Sequence, residues 1–424
     1  ALLVLVIGAN PATLLERAQA SGRELLSVAA PWGALLLGGG FVLLALLTQA
    51  LSAQRVEGGG VTDFAHGFAA FAATLLAIFA VLGQGFDPEL LSRAGLVVCA
   101  LAVLFNGGRP IATALIVVFA FGAIYLNSAR GGRIVSQERS FFGIVRVREI
   151  PAGAGDNPLQ ERLLVHGATI HGAQLMAPGN TREPLTYYNP NTALGEAVAA
   201  GLAGGERSSL ALIGLGAGST ACLTRPQDTL IIYEIDPLMV RLSGREGSDF
   251  SYVRECQPQA RIELGDARLR IAEAPDGAFD VILVDAFTSD AVPAHLLTRE
   301  ALALYLSKTS ARGIVVLHLS NRNLALVSEA ARVAGAINAP TLYRMSEPAP
   351  TPYAFGGLAT SVMVVSRSPQ TLAHIAFASA DWRVIDVPPG RPWSDDYINI
   401  ARAFWENING AEDCRLWPHK CDGR

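Results

Sequence analysis

Three glycines and a series of acids occupy the positions where this chain could do chemistry on a nucleoside. Gly214, Gly216 and Gly218 follow the short aliphatic run Leu210–Ile213, and Glu234 closes a second apolar run, Leu230–Tyr233. Glycines let the backbone come close to a ligand, and a helix-compatible segment after them would offer free N–H groups. An acid at the end of the second strand can take both hydroxyls of a ribose. Two further runs end in the same way, Arg261–Leu264 in Gly265-Asp266 and Phe279–Val284 in Asp285. Asp266 with Ala267 is placed to hold an adenine amino group, and Asp285 to face the reacting end of the ligand. Any one acid could simply cap a helix. Successive strand ends that all carry glycine or acid point instead to one adenosine-type site.

The elements that must position these residues alternate between strand and helix. Strand candidates at Arg261–Leu264, Phe279–Val284 and Gly313–Leu319 are separated by helical segments at Leu238–Leu242, Ala267–Glu273, Thr298–Leu306 and Asn323–Ala334. That is the pattern of a parallel doubly wound sheet. Thr341–Met345 and Ala359–Ser366 lack a long helix between them, which predicts an antiparallel hairpin at the sheet edge. This ending, and Ser219 in the place of a last glycine, favour a class I methyltransferase-type sheet over a dinucleotide-binding one. Upstream, Arg133–Leu175 alternates as a small antiparallel unit of about four strands. PLTYYNPN (Pro184–Asn191) and an amphipathic helix over Thr192–Ala203 lead into the glycine turn.

Composition divides the chain. Only 17% of its 424 residues are charged, and the mean hydropathy of +0.34 is high for a soluble enzyme. The excess lies in the first 130 or so residues. Leu25–Gln54, Phe64–Phe86, Ala94–Gly108 and Pro110–Ala129 carry no charge, and a crossing helix needs about 20 apolar residues. Three of these runs meet that length; Ala94–Gly108 is marginal. If spans alternate, Arg17, Arg23, Arg93, Arg130 and Arg133 share one side and Arg55 and Arg109 the other, which puts the remainder in the cytoplasm of a bacterial inner membrane. The expected architecture is a multi-span α-helical membrane domain (1–129), a small antiparallel β domain (130–190), an α/β Rossmann-like domain (191–385) and a tail (386–424). A net charge of −4 gives no nucleic-acid surface. The five cysteines show no metal spacing. Cys222 and Cys256 read as free thiols of a reducing compartment, while Cys414 and Cys421 could pair.

From about Gln137 to Ser368 the chain resembles the spermidine synthase (aminopropyltransferase) family, and within it the membrane-anchored bacterial branch. The matches are HGATIHGAQ (His166–Gln174), the tyrosine pair of PLTYY, IGLGAGS, YEID, GDA, FDVILVDAF, APTPY (Ala349–Tyr353) and WSDDY (Trp393–Tyr397). The resemblance implies that Gln174, Glu234, Asp266 and Asp285 contact an S-adenosyl ligand, with Tyr187 and Tyr353 lining its aliphatic chain. It implies an S-adenosyl compound as substrate, with no metal or separate cofactor. Partners would be that substrate and the lipid bilayer; homo-oligomer formation stays open.

The chain also departs from the family. Ala217 stands where spermidine synthases usually carry an acid beside the ligand amine, and Leu185–Asn189 lacks the acids that hold a diamine. Asp285 and Asp290 are separated by AFTS instead of lying close together. A buried dication without carboxylates is poorly stabilised. The first expectation is therefore intramolecular cleavage of S-adenosylmethionine. The tail carboxylate attacks Cγ and releases methylthioadenosine and homoserine lactone, with Tyr187, Tyr188 and Tyr353 curling the tail. The alternative is aminopropyl transfer, in which Asp290, Asp395 or Asp396 takes a proton from the attacking amine. Methyl transfer and a non-catalytic binding module are further alternatives.

Overall fold

The computed structural model describes residues 132–424 other than 153–158, 168, 245, 287–292, 349–350 and 417–424. The membrane spans expected within 1–129 lie outside these residues. Among the described residues no helix is long and apolar enough to cross a membrane.

The first sheet is an antiparallel meander of β1 (Arg133–Ser140), β2 (Gly143–Ala152), β3 (Leu159–His166) and β4 (Thr169–Leu175). Period-two alternation makes it a two-faced unit. Val145, Val147 and Leu164 pack on one side with Met239, Leu242 and Phe250. Leu163, Ala173 and Leu175 pack on the other with Leu185.

The second sheet contains β5 (Ser209–Ile213), β6 (Thr229–Glu234), β7 (Arg261–Leu264), β8 (Phe279–Val284), β9 (Thr309–His318), β10 (Thr341–Ser346) and β11 (Thr360–Ser366). Their spatial order is β10-β11-β9-β8-β5-β6-β7. The pairs from β7 to β9 are parallel, and β11 runs antiparallel to both neighbours. The expected edge hairpin is therefore present, at the edge of a Rossmann-type parallel sheet whose order reverses beside β5. Central parallel strands are apolar on both faces because helices cover both. In β5, Ala211 and Ile213 join one core layer and Leu210 and Leu212 the other.

The helices are α1 (Ala193–Leu202), α2 (Pro237–Ser243), α3 (Tyr252–Cys256), α4 (Ala267–Ala272), α5 (Arg299–Lys308), α6 (Leu326–Ala336), α7 (Pro369–Ala378), α8 (Ile400–Ile408) and α9 (Ala411–Leu416). Side-chain caps begin several of them: Thr192 accepts from the Gly195 N–H, Asp236 from Leu238, and Thr298 from Ala301.

Three expectations need correction. The segment after the glycine turn is not an α-helix but a single 3-10 turn, Ser219–Leu223. Gly218 enters it in the left-handed region, and Pro226 blocks its continuation three residues past its end. Cys222 and Cys256 are not free thiols but a disulfide, with Cα atoms 5.0 Å apart. The Ser219–Leu223 turn packs beside α3 and brings them together. The pairing suggested for Cys414 and Cys421 lies outside the described residues. Finally, 386–424 is more than a tail. Trp393 and Ala403 are fully buried in the main core, and Arg402 of α8 bonds the buried Glu329 of α6.

Candidate functional site

The sheet order reverses beside β5, between β8 and β6, and the cleft opens over the carboxyl ends of these strands, where such sheets bind ligands. Its floor is the glycine turn. Gly214 has φ +98°, and a Cβ there would come 2.4 Å from the Asp285 carbonyl oxygen. Gly216 has φ +53°, and a Cβ would come 2.8 Å from the His171 carbonyl oxygen. Only glycine allows β5, β8 and the β-meander to close on one another here.

Glu234, at the end of β6, stitches the first two strand ends together. Its Oε2 accepts the Leu215 N–H at 2.8 Å and its Oε1 the Asp236 N–H at 2.8 Å. Burial pushes its carboxyl above the ordinary value against the pull of those N–H groups, and the nearby Asp236 adds to the rise. Asp236 caps α2 through Oδ1. Its buried Oδ2 has no hydrogen-bond partner among the described residues, and the residue lines the cleft. That leaves an open acceptor beside Glu234. Asp266, after β7, caps α4 by accepting the Arg268 and Leu269 N–H groups through Oδ1. Its Oδ2 lies 3.4 Å from His295 Nε2. It thus caps a helix and lines the cleft at once, with Ala267 beside it.

Asp285, just past the end of β8, is a buried acid. Tyr188 donates its phenol to Oδ2 at 2.5 Å, and His318 Nδ1 lies 2.7 Å from Oδ1. The Tyr187 ring packs at a tilt against Tyr188, with centroids 4.5 Å apart, and against His318 at 4.7 Å. Burial first, and then the Asp285 charge, pushes both phenols well above their ordinary value, so they stay protonated. The β-meander supplies the outer wall: Phe142, His166 and His171 line the cleft, with His166 Nε2 2.9 Å from the Phe142 carbonyl oxygen.

Of the residues singled out in the sequence, Tyr187, Tyr188, Gly214, Gly216, Glu234, Asp266, Ala267 and Asp285 line this cleft. Others do not. Gln174 is fully buried, and its amide is used within the fold, donating to the Thr181 carbonyl and to Ser251 Oγ while accepting the Ser251 N–H. Gly218 forms the entry to the 3-10 turn. Tyr353 packs against Leu163, Leu175 and Leu185, its hydroxyl 3.4 Å from Glu183 Oε2. Asp395 is taken by both guanidinium nitrogens of Arg268 and by the Thr298 hydroxyl. Asp290 lies outside the described residues. Ala217 is fully buried among Val145, Leu164 and Met239, and its methyl covers Gly172 closely enough to exclude a Cβ there.

Residues that went unnoticed in the sequence are His318, Ser320, Asp236 and His295. His318 ends an apolar strand, as Asp285 does, and that shared position was its only signal.

No protein-family model matches the chain. A polyamine aminopropyltransferase from Vibrio vulnificus (strain CMCP6) is 34% identical over 110 residues, which is 25% of this chain and 35% of that protein. The chain thus spans about a third of the length of that curated relative. Among solved structures, a probable spermidine synthase from Corynebacterium glutamicum ATCC 13032 superposes with a TM-score of 0.42 at 13% identity, covering 63% of this chain and 98% of that one. Spermidine synthase from Thermotoga maritima gives 0.41 at 15% identity, covering 66% and 87%. Over a quarter of its length, then, the chain is similar in sequence to an aminopropyltransferase.

Proposed function

We propose that the chain is an aminopropyltransferase-type enzyme that moves the aminopropyl group of decarboxylated S-adenosylmethionine to an amine. One observation carries the reading: a buried carboxylate, Asp285, faces the cleft at the strand-order reversal, with the acids of β6 and β7 beside it. Glu234 and the open Asp236 oxygen suit two ribose hydroxyls, and the Asp266–Ala267 corner suits an adenine edge. The amine lone pair attacks the carbon next to sulfur, the C–S electron pair stays on sulfur, and methylthioadenosine leaves. Asp285 takes the proton that the new ammonium must lose. The partial likeness to a curated aminopropyltransferase supports this order of preference over cleavage of intact S-adenosylmethionine. The expectation of cleavage leaned on Ala217, whose side chain turns out to be packed away from the cleft lining.

Cleavage keeps one observation in its favour. Among the described residues, the wall of Phe142, His166, His171 and Tyr187 holds no carboxylate for a diamine. We place residues 1–129 in a bilayer and the catalytic unit on its cytoplasmic side, from the arginine pattern of the loops. The test of the activity is mass spectrometry of the products formed with decarboxylated S-adenosylmethionine, with and without a diamine. Methylthioadenosine and a longer polyamine should form only with both present.

A further inference from the structure

We infer that His318 is the residue that positions Asp285 for proton transfer, acting from behind the cleft with Ser320. β9 neighbours β8, so the imidazole at the end of one strand reaches the carboxylate just past the end of the other. Nδ1 lies 2.7 Å from Asp285 Oδ1 and Nε2 2.9 Å from Ser320 Oγ. The Ser361 N–H donates to that same Oγ at 2.9 Å. An ionised carboxylate oxygen can only accept, so the imidazole N–H on Nδ1 is the one aimed at Asp285, and the Ser320 hydroxyl is free to donate to Nε2 while it accepts the Ser361 N–H. Tyr187 packs against the ring at a tilt and limits its rotation. His318 is 5% exposed and does not line the cleft, so it acts through Asp285.

The consequence is geometric and electrostatic. The groups that face Asp285 among the described residues are Tyr188 and Tyr187 from the Thr186–Tyr188 turn and His318 from β9. Tyr188 donates to one carboxylate oxygen and His318 to the other. Two donors, one on each oxygen, stop the carboxylate from rotating, so its remaining lone pairs are held toward the cleft. An imidazole in the run Ile314–His318, otherwise apolar, is costly to bury unless its polar atoms are satisfied. Here Asp285 and Ser320 satisfy both nitrogens.

This inference rests on Asp285 as the proton acceptor of the proposed transfer. The full chain would be compared with His318→Leu, His318→Asn and Ser320→Ala. In His318→Leu, kcat for methylthioadenosine release should fall by about tenfold to a hundredfold. KM for the S-adenosyl substrate and affinity for methylthioadenosine should stay within about twofold. His318→Asn keeps an N–H donor near the Nδ1 position and should recover most of the rate. Ser320→Ala should lower it by a few fold, and it carries the test if His318→Leu does not fold. Infrared difference spectroscopy of the carboxylate band that Asp285→Asn abolishes reads the same effect without turnover. The band should shift in frequency and broaden in His318→Leu and in Ser320→Ala. A band of the same frequency and width in the wild type and in these variants overturns the positioning role, whatever reaction the enzyme runs. A shifted band in a protein that releases no methylthioadenosine leaves the positioning intact and removes the transferase reading.

Discussion

The Tyr188 phenol and the Asp285 carboxylate, 97 residues apart in sequence, meet through a hydrogen bond of 2.5 Å. It links the turn before α1 to the end of β8, so the chain that closes the cleft also holds its central acid. A hydrogen bond to a charged group is worth about 1.5–3 kcal/mol. Tyr188→Phe should lose stability of that order at pH 7, measured by denaturant unfolding, along with turnover. The phenol's folded value lies above its ordinary 10.0, so folding favours the protonated form. That contribution is complete below about pH 10 and declines as pH rises toward the folded value. Alkaline unfolding should therefore begin above about pH 10 in the wild type and be blunted in Tyr188→Phe.

Glu234→Gln replaces one of two carboxylate acceptors by a donor that faces a backbone N–H, at Leu215 or Asp236. It would also weaken the proposed charge-assisted bond to ribose, worth about 1.5–3 kcal/mol. Affinity for methylthioadenosine should drop by about tenfold or more in calorimetry. Unchanged affinity in both Glu234→Gln and Asp236→Asn would remove the ribose assignment.

The disulfide closes a loop with a sequence separation of 34. Opening it should cost about 2–4 kcal/mol, seen as a lower Tm for Cys222→Ser or for the reduced wild type. Intact-mass measurement after alkylation under non-reducing conditions checks the pairing directly. Two reactive thiols at these positions would restore the free-thiol expectation.

Glu329, 1% exposed, receives hydrogen bonds from Arg332 and Arg402. Arg332 also holds Glu406 of α8. Removing one member of a buried ionic cluster leaves a charge uncompensated and costs about 3–5 kcal/mol. Arg332→Ala should show that loss in urea unfolding. A change below about 1 kcal/mol, the size expected of an exposed pair, would mean that solvent reaches the cluster.

Much of this architecture could be read from the chain itself, because each strand of the parallel sheet is a short apolar run with a polar end. Glu234, Asp266 and Asp285 were legible for that reason, and so were the edge strands Thr341–Ser346 and Thr360–Ser366. What stayed hidden depends on contacts between distant residues. Gln174 sits in a conspicuous motif, yet Ser251, 77 residues away, takes its amide. Asp395 resembles a spare acid until Arg268 pairs with it from 127 residues away. Cys222 and Cys256 carry no spacing signal, and only the packing of a 3-10 turn on α3 brings them together. His318 closes a hydrophobic run, and nothing local tells a core histidine from one that orients a carboxylate.

The central claim concerns where the three-carbon tail of the S-adenosyl ligand goes. Decarboxylated S-adenosylmethionine carrying isotope in its aminopropyl carbons, supplied with putrescine, traces that tail by mass spectrometry. With Asp285 as the base beside an amine, the label should appear in a longer polyamine, in equal amount to the methylthioadenosine released, and Asp285→Asn should abolish both. Methylthioadenosine released from intact S-adenosylmethionine alone, with its tail recovered as homoserine lactone and no labelled polyamine formed, would contradict it.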